Sequence, residues 1–445
     1  MTELTQSAGP IARVARLPLF APLRTRDFRL VWFGESVSLL GDQFHYVALS
    51  WLVLGLTGSG LALGTVLLAA ALPRGAFLLV GGVLSDRVSP RTLMLWSNLV
   101  RAAITTVIAA LVLGARTEIW QLVVAGALFG TVDAFFYPAM NTIVARLVPG
   151  EQLGAANAAL QGTQQLMGTV GPAVAGFAIA IIGVAGAFVI DAASFAVAAT
   201  AVWLVGTVRA APAAPPLDPP EGAIASAGMP IPIETVAASE PAASAHGSML
   251  AALVEGARAV MGDPVMRMLV LLSTAFNLAF TGPVVVGLPW LVQVRFVGDA
   301  AMLGLLYAAF GAGSFAGVVL GGTVPRTRNL GAVLFPVVTV LGIGLGAIGL
   351  APAPIVGALL FGCGIGVGYL NVSLISWAQS RTEPHLLGRT MSFLMLGSVV
   401  GAPLSLAISG AAIDLNATAL FLAAAGLIEA TALAGLAGGL HRRMV

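Results

Sequence analysis

The sequence predicts an all-α membrane protein with twelve transmembrane helices, because long apolar stretches recur along it and nearly all charge lies between them. Each stretch holds about 20 to 29 residues, and about 20 helical residues span the roughly 30 Å of hydrocarbon in a bilayer. Only helices and closed barrels cross that layer with their backbone groups paired. The predicted spans are 30–56, 61–84, 93–114, 119–143, 155–182, 184–207, 266–294, 301–322, 330–350, 354–377, 390–413 and 417–440.

The composition supports the same class. Hydrophobic residues make up 58% of the 445 residues and charged residues 9%, with a mean hydropathy of +0.98, whereas soluble domains hold about 25% charged residues. The single cysteine, Cys363, lies inside a predicted span, which excludes a disulfide framework and a thiolate metal site. No nucleotide-binding loop, zinc motif or basic nucleic-acid surface is visible. We therefore expect no cofactor, no metal, no nucleic-acid partner and no enzymatic activity.

Arginine sets the predicted orientation, since the chain has 21 arginines and no lysine. Seventeen arginines fall in the two tails and the loops on the same side, which we call the arginine-rich face. The opposite, arginine-poor face has Arg116 and Arg295, and two more lie inside spans at Arg74 and Arg101. By the positive-inside rule, both termini and the central loop face the cytoplasm of a cell membrane. The first 29 residues show no signal peptide, so the first span directs insertion.

The middle of the chain separates six spans from six. Residues 211–247 hold eight prolines, four acids and no arginine, a composition typical of a flexible linker. Ser248 can cap a short amphipathic helix at 249–261 on the membrane surface. The predicted domains are a cytoplasmic tail (1–29), an N-terminal bundle (30–207), a cytoplasmic linker (208–265), a C-terminal bundle (266–440) and a tail (441–445).

The two halves are related in sequence. Residues 61–82 align without a gap with residues 301–322, and the alignment superimposes Leu63 and Gly64 on Leu303 and Gly304. Parallel six-helix repeats of this kind are typical of one class of secondary transporter, whose substrate site lies at the repeat interface near the midplane. We therefore expect a small-molecule site between the two bundles.

The loop after the second span contains a recognisable motif, formed by Gly82, Asp86, Arg87 and Arg91. It resembles the conserved loop of the major facilitator superfamily, although a Ser-Pro pair stands where that motif continues with glycine and a basic residue. The resemblance implies that Asp86 meets a helix N-terminus of the opposite bundle while the cytoplasmic gate is closed. The arginines would pair with acids or lipid phosphates.

Other segments resemble the branch of that superfamily that includes macrolide exporters and the enterobactin exporter. They are residues 28–60, 135–139 and 191–195. In the fifth span, a glycine-proline pattern resembles the motif associated with antiporters; its residues are Gly168, Gly171, Pro172 and Gly176. The chain departs from the pattern in two places, because its fourth span lacks an arginine and the loop after the eighth lacks an aspartate. The resemblance implies two bundles that rock about a central cavity.

Ionisable residues inside the spans are the candidate functional groups, because a charge in the membrane is expensive. Glu35 and Asp42 lie two turns apart on one face of the first helix, and His45 follows one turn later. Asp42, Arg74 and Asp133 lie at one level, about 15 to 21 Å from the cytoplasmic ends of their helices. We expect Arg74 to pair with Asp42 or Asp133. The repeat places Thr274, Thr281 and Ser314 at positions 35, 42 and 74, so the fold does not need charge there.

Several roles stay open at this point. Arg74 with an aspartate can be structural, Glu35 can pair with Arg29 or Arg101, and His45 can be a buried core histidine. Asp191 and Glu429 show no evident partner. Four polar residues of the fifth span form a stripe that either lines a cavity or bonds between helices; they are Asn157, Gln161, Gln164 and Gln165.

These observations favour a monomeric secondary transporter that exports an amphipathic compound, such as a drug, natural product or siderophore, in exchange for protons. A desolvated carboxyl group favours its protonated form, so Asp42 is the first candidate proton carrier, Asp133 the second, and Arg74 the counter-charge. Membrane lipids surround the protein. The alternatives are a facilitator or importer, a lysophospholipid flippase, and a membrane sensor that binds a ligand without transporting it.

The linker gives the first testable prediction. Deletion of residues 213–245 should leave folding and transport largely intact, because this composition cannot bury a core. Thermal unfolding and transport of the shortened protein would check this. Loss of both properties would mean that the segment is an ordered element.

Overall fold

The computed structural model describes residues 18–206, 264–323, 330–381 and 401–439, and every regular element in them is helical. A short 3-10 helix covers Pro18–Arg24. The transmembrane helices of the N-terminal half are α1 (Arg26–Thr57), α2 (Gly60–Arg87), α3 (Pro90–Leu113), α4 (Ile119–Leu147) and a 55-residue helix, Gly150–Leu204. The long helix breaks at Gly183, where φ is 74°, so we label 150–182 as α5 and 184–204 as α6. Glycine adopts this left-handed φ without strain.

The C-terminal half contains five further long helices and one shorter piece. Helix α7 covers Pro264–Gly282 and continues through two π-helical turns to Arg295. The others are α8 (Ala300–Thr323), α9 (Gly331–Ile348), α10 (Ala353–Arg381), α11 (Gly401–Ile413) and α12 (Ala417–Ala437).

The all-helical membrane fold is confirmed. Ten described helices are long and apolar enough to cross a membrane, counting Gly150–Leu204 once, and Gly401–Ile413 is shorter. The eleventh predicted span begins at residue 390, outside the described residues, so the number twelve stays a prediction. Residues 1–17 of the N-terminal tail, the C-terminal tail, most of the linker and the predicted surface helix at 249–261 also lie outside them. Helix α1 begins four residues before its predicted start, with Asp27 in its first turn, where the helix dipole favours an acid.

The two halves pack in the same way. In the N-terminal half, α1 and α3 both pack against α6, and α2 and α3 both pack against α4. In the C-terminal half, α7 and α9 both pack against α12, and α8 and α9 both pack against α10. Each pair in the first list corresponds to the pair six helices later, which supports the six-plus-six repeat read from the sequence.

Two helix crossings join the halves, and both depend on glycine. At the first crossing, α2 meets α11, and a methyl group on Gly64 would lie 2.9 Å from Gly410 Cα. At the second, α5 meets α8, and a methyl group on Gly176 would lie 3.0 Å from Gly304 Cα. Residues 60–64 and 410 lie near the arginine-poor ends of their helices, as do residues 176 and 304. The halves are therefore closed against each other at the arginine-poor face.

Toward the arginine-rich face, the second crossing opens. Asn157 and Gln161 lie eleven and seven residues before Gly168, so they share the face of α5 that contacts α8 at Gly168 and Pro172. Both side chains are nevertheless exposed. Helices α5 and α8 have thus separated here. Polar side chains at this depth are tolerated where they line a water-filled space, which indicates a cleft open to the arginine-rich face.

The crossing of α2 and α11 gives the second prediction. Gly64→Ala should destabilise the protein by about 1 kcal/mol, because the new methyl group would lie 2.8 Å from the Leu406 carbonyl oxygen and would force the helices apart. The control is Gly162→Ala in α5, where nothing lies within 4 Å of the added methyl group and alanine favours the helix. Thermal unfolding in detergent would check both. Equal melting temperatures for the two variants would contradict the importance of this contact.

Candidate functional site: a buried charge cluster

Asp133 lies at the centre of a cluster of charged side chains inside the N-terminal bundle. Its carboxylate contacts two arginines from different helices: Arg101 Nη1 on α3 lies 3.2 Å from Oδ1, and Arg74 Nη1 on α2 lies 3.6 Å from Oδ2. Arg101 also donates a hydrogen bond to Asn98 Oδ1, at 2.9 Å. The side chains of Arg101 and Asp133 are 4% and 9% exposed, whereas that of Arg74 is 43% exposed. Asp133 is therefore a counter-ion held between one buried and one accessible arginine.

Aromatic rings complete the surroundings of both arginines. The guanidinium carbon of Arg101 lies 4.1 Å from the centre of the Phe136 ring and 4.7 Å from that of Phe195. The guanidinium carbon of Arg74 lies 5.1 Å from the centre of the Tyr137 ring. A cation is attracted to the face of an aromatic ring, most strongly where water is excluded. The rings thus help to hold two cations inside an apolar bundle.

A buried hydrogen bond links α1 to α6. His45 Nδ1 lies 2.9 Å from Asp191 Oδ2, and the Asp191 side chain is fully buried. The imidazole ring stacks on Phe129 at 4.9 Å and meets the edge of Phe188 at 5.5 Å. The two helices approach closely because residue 41 is glycine. A methyl group at this position would collide with the Ser194 side chain. Sequence reasoning found no partner for Asp191, since its partner is 146 residues away on another helix.

Asp42 and Glu35 are the acids of α1 that lie beyond its first turn, and both are half-buried. Neither carboxyl group lies within 4.0 Å of a basic nitrogen among the described residues. Asp42 is within electrostatic range of Arg101, Asp191 and Asp133. Asp42 thus belongs to the cluster, but it forms no ion pair with a cation of the described residues.

The geometry decides between the pairings that the sequence left open. Arg74 pairs with Asp133 and not with Asp42. Arg101, considered from sequence only as a partner for Glu35, is the closer partner of Asp133. The signal that could have identified it is the polar face of α3, where Asn98, Arg101 and Thr105 are all buried and are spaced by three and four residues.

The polar stripe of α5 borders the cleft. Asn157, Gln161 and Gln164 are exposed, whereas Gln165 is half-buried. These side chains are amides, so they present both hydrogen-bond donors and acceptors. Cavity lining, one of the two sequence-based interpretations, agrees with this exposure.

The glycine-proline pattern of α5 contributes to two helix contacts. Gly168, Pro172 and Gly176 face α8, and Gly171 contacts the Gln43 side chain on α1. The residues that resemble an antiporter motif therefore join α5 both to the other bundle and to the helix that carries Asp42. Their coupling role stays a prediction.

Only one residue of the loop motif has a described side chain. Arg91 donates hydrogen bonds to the carbonyl oxygens of Val202, at 3.2 Å, and Trp203, at 2.5 Å. It thus caps the C-terminal end of α6 within its own bundle, where a cation also complements the helix dipole. The side chains of Asp86 and Arg87, and the surroundings of Gly82, lie outside the described residues.

Glu429 on α12 is remote from the cluster. It packs against Gly342 on α9, and one of its carboxyl oxygens is buried with no hydrogen-bond partner in the described part of the chain. Within the same part of the chain, no three His, Cys, Asp or Glu side chains converge as metal ligands would.

Two halves of matching helix packing, a cleft between them and ionisable groups buried beside it are the architecture of a helical membrane transporter. The chain belongs to the Major Facilitator Superfamily, which its residues 31–406 match. It is therefore a multi-pass membrane transporter for a small-molecule substrate.

Two curated relatives are efflux proteins. The chain is 22% identical over 376 residues to macrolide efflux protein A of Streptococcus pyogenes, a match that covers 84% of this chain and 85% of that protein. It is 26% identical over 407 residues to the multidrug efflux pump Tap of Mycolicibacterium fortuitum, covering 88% and 91%. The resemblance to macrolide exporters read from the sequence is thus confirmed.

Solved structures agree on the fold. The nucleoside transporter NupG superimposes with a TM-score of 0.66 at 14% identity, covering 92% of this chain and 98% of that one. A bacterial homologue of the iron transporter ferroportin in an inward-facing state gives 0.66 at 13% identity, covering 92% and 98%. At such identities the likeness concerns the fold alone.

The ion pair at the centre of the cluster gives the third prediction. Asp133→Asn should destabilise the protein by about 3 kcal/mol, because it leaves Arg101 as an uncompensated buried charge, and Arg101→Gln should destabilise it less, because Arg74 still faces Asp133. The double variant should lose less than the sum, since it removes both charges. Denaturation of the wild type, the two single variants and the double variant in detergent would measure the interaction energy between the two side chains. Strict additivity would show that the two side chains do not interact.

Proposed function

We propose that this transporter exports amphipathic small molecules in exchange for protons, with Asp42 as the proton-binding carboxyl group. The observation that carries the proposal is the excess of acid in the buried cluster. Glu35, Asp42, Asp133 and Asp191 face only two arginines, so full ionisation leaves a net charge of −2 while His45 is neutral. An uncompensated charge in an apolar environment is costly, and proton binding removes it.

The distribution of partners favours Asp42 among the four acids. Asp133 contacts both Arg74 and Arg101, and Asp191 is hydrogen-bonded to His45. Glu35 lies two turns nearer the arginine-rich end of α1. Asp42 remains as a half-buried acid near the middle of the membrane with no ion pair of its own, so it can gain and lose a proton without breaking a contact. In this proposal Asp133, the second candidate from the sequence, is a counter-ion.

The exchange follows from competition between the proton and the substrate at Asp42. When the cleft faces the outside, Asp42 binds a proton and the cluster loses part of its negative charge. When the cleft faces the cytoplasm, a substrate that binds beside Asp42 favours release of that proton, and the protein then carries the substrate outward. A ligand shifts a conformational equilibrium only by its difference in affinity for the two states, and the alternating proton and substrate supply that difference.

The proposed direction of transport and the proposed substrate class are supported by different observations. The excess of arginine on the face with both termini favours a cytoplasmic location for that face, so the cleft opens inward. The relatives are named as a macrolide efflux protein and a multidrug efflux pump. A cleft with amide side chains on α5 beside apolar helix surface suits amphipathic compounds. We place the protein as a monomer in the cell membrane of a bacterium.

The fourth prediction tests the proton carrier. Asp42→Asn should abolish proton-driven transport of a macrolide such as erythromycin, because an amide cannot alternate between charged and neutral forms. Transport into vesicles containing the purified protein, with and without an imposed pH gradient, would check this. The matched control is Glu429→Gln, which neutralises a membrane-embedded carboxyl group remote from the cluster and should retain gradient-driven transport.

The same measurement separates the rival functions. Wild-type flux that ignores the pH gradient would indicate a facilitator, and movement of a fluorescent lysophospholipid in place of the macrolide would indicate a flippase. Proton-driven transport undiminished in Asp42→Asn would exclude Asp42 as the carrier.

A further inference from the structure

We propose that Asp414, in the turn between α11 and α12, is a latch residue that holds the two bundles together at the arginine-poor face. Its carboxylate accepts three hydrogen bonds from the start of α2, in the other half of the chain. Ser59 Oγ donates to Oδ2 at 2.6 Å, Leu61 N donates to Oδ2 at 3.0 Å, and Gly60 N donates to Oδ1 at 2.7 Å. Each contact joins residues more than 350 positions apart in the chain.

These contacts satisfy donors that α2 cannot satisfy itself. The first N–H groups of a helix have no acceptor within it, and the helix dipole makes its N-terminus attractive to an anion. Ser59 Oγ lies 3.4 Å from Ala62 N, a long distance for a cap, while its hydroxyl donates at 2.6 Å to Asp414. The start of α2 is therefore capped mainly from the opposite bundle.

The sequence repeat shows that the fold does not require this arrangement. When the alignment of residues 61–82 with 301–322 is extended by two residues toward the N-terminus, Ser59 corresponds to Asp299 at the start of α8. Asp299 Oδ1 accepts a hydrogen bond from Met302 N at 2.9 Å, so α8 carries its own acidic cap. Helix α2 lacks an acid there and takes one from Asp414. One helix is thus capped within its bundle, and the equivalent helix is capped across the interface.

The position of Asp414 gives the contact a role in the transport cycle. It lies one residue beyond Ile413, which touches Gly60, and four beyond Gly410, which crosses Gly64. Separation of α2 from α11 at this face must break all three hydrogen bonds. The loop motif implies a contact of the same kind at the other end of α2, where Asp86 would meet a helix N-terminus of the opposite bundle. Because alternating access opens one face as the other closes, the two contacts would form in opposite states.

Asp414 should stay charged at neutral pH, whereas the proposed proton carrier, Asp42, must gain and lose a proton. Burial raises the pKa of Asp414, but the hydrogen bonds from Ser59, Leu61 and Gly60 lower it more, so the pKa lies below the usual aspartate range. A lowered pKa in the closed state means that the contact is present above the ordinary aspartate value of about 3.9 and is lost as the pH falls through the closed-state value. No basic nitrogen of the described residues lies within 4.0 Å of the Asp414 carboxylate. The latch should thus be insensitive to pH between about 5 and 8.

The test measures the opening of the arginine-poor face directly. Spin labels at Arg116→Cys and Val297→Cys, in a Cys363→Ala background, report the distance between the two halves across that face. Asp414→Asn should increase the population with separated labels by roughly five-fold, because the charged acceptor of three donors is lost. Ser59→Ala should give a smaller increase, and Asp299→Asn, which removes an acidic cap inside one bundle, should give the wild-type distribution.

The result depends on neither substrate nor gradient, so it stands apart from the proposed proton-coupled export. The increase in Asp414→Asn should be the same at pH 5.5 and pH 8. A wild-type distance distribution in Asp414→Asn, with a normal melting temperature, would overturn the latch. An equal increase in Asp299→Asn would also overturn it, since the effect would then be general loosening of helix ends.

Discussion

The structure depends on one constraint, which is that hydrocarbon offers no partner to a charge or to an unpaired polar group. Every ionisable side chain inside the bundle must find its partner within the protein, hold a proton, or reach water. Arg101 and Asp133 meet this constraint by pairing, as His45 and Asp191 do by hydrogen bonding across α1 and α6. Glu35 and Asp42 meet it least completely, because neither forms an ion pair among the described residues. That incompleteness is what makes Asp42 chemically useful in the proposed cycle.

The same constraint explains why the two halves differ although they pack alike. The N-terminal half carries the charge cluster on five of its six helices, α1, α2, α3, α4 and α6. At the three aligned positions, the C-terminal half has Thr274, Thr281 and Ser314, whose hydroxyl groups can bond to their own helix; Thr274 Oγ1, for example, donates to the Val270 carbonyl oxygen at 2.8 Å. One half thus supplies the ionisable chemistry in the proposed function. The other half supplies the opposite wall of the cleft.

The interface between the halves must be tight enough to seal and weak enough to open. Glycine provides close backbone approach at both crossings, through Gly64 with Gly410 and Gly176 with Gly304. Such contacts are individually weak dispersion contacts, and they are lost together when the helices separate. The hydrogen bonds of Asp414 add a directional contact at the edge of this seam, where water can replace them on opening. Contacts of this kind stabilise the state that is closed at the arginine-poor face and still allow that face to open.

Most of the fold could be predicted from the sequence, because the length and hydropathy of a span are local properties and the bilayer selects them directly. The sequence by itself determined the apolar helices, the break near Gly183 and the repeat. The partners could not be read in this way, because Arg101 meets Asp133 across 32 residues, His45 meets Asp191 across 146, and Gly60 meets Asp414 across 354. Pairing at such separations depends on how far each helix is rotated about its axis and where it crosses its neighbours. Side-chain packing sets both, so only the tertiary structure decided which charges are neutralised and which acids are left without an ion pair.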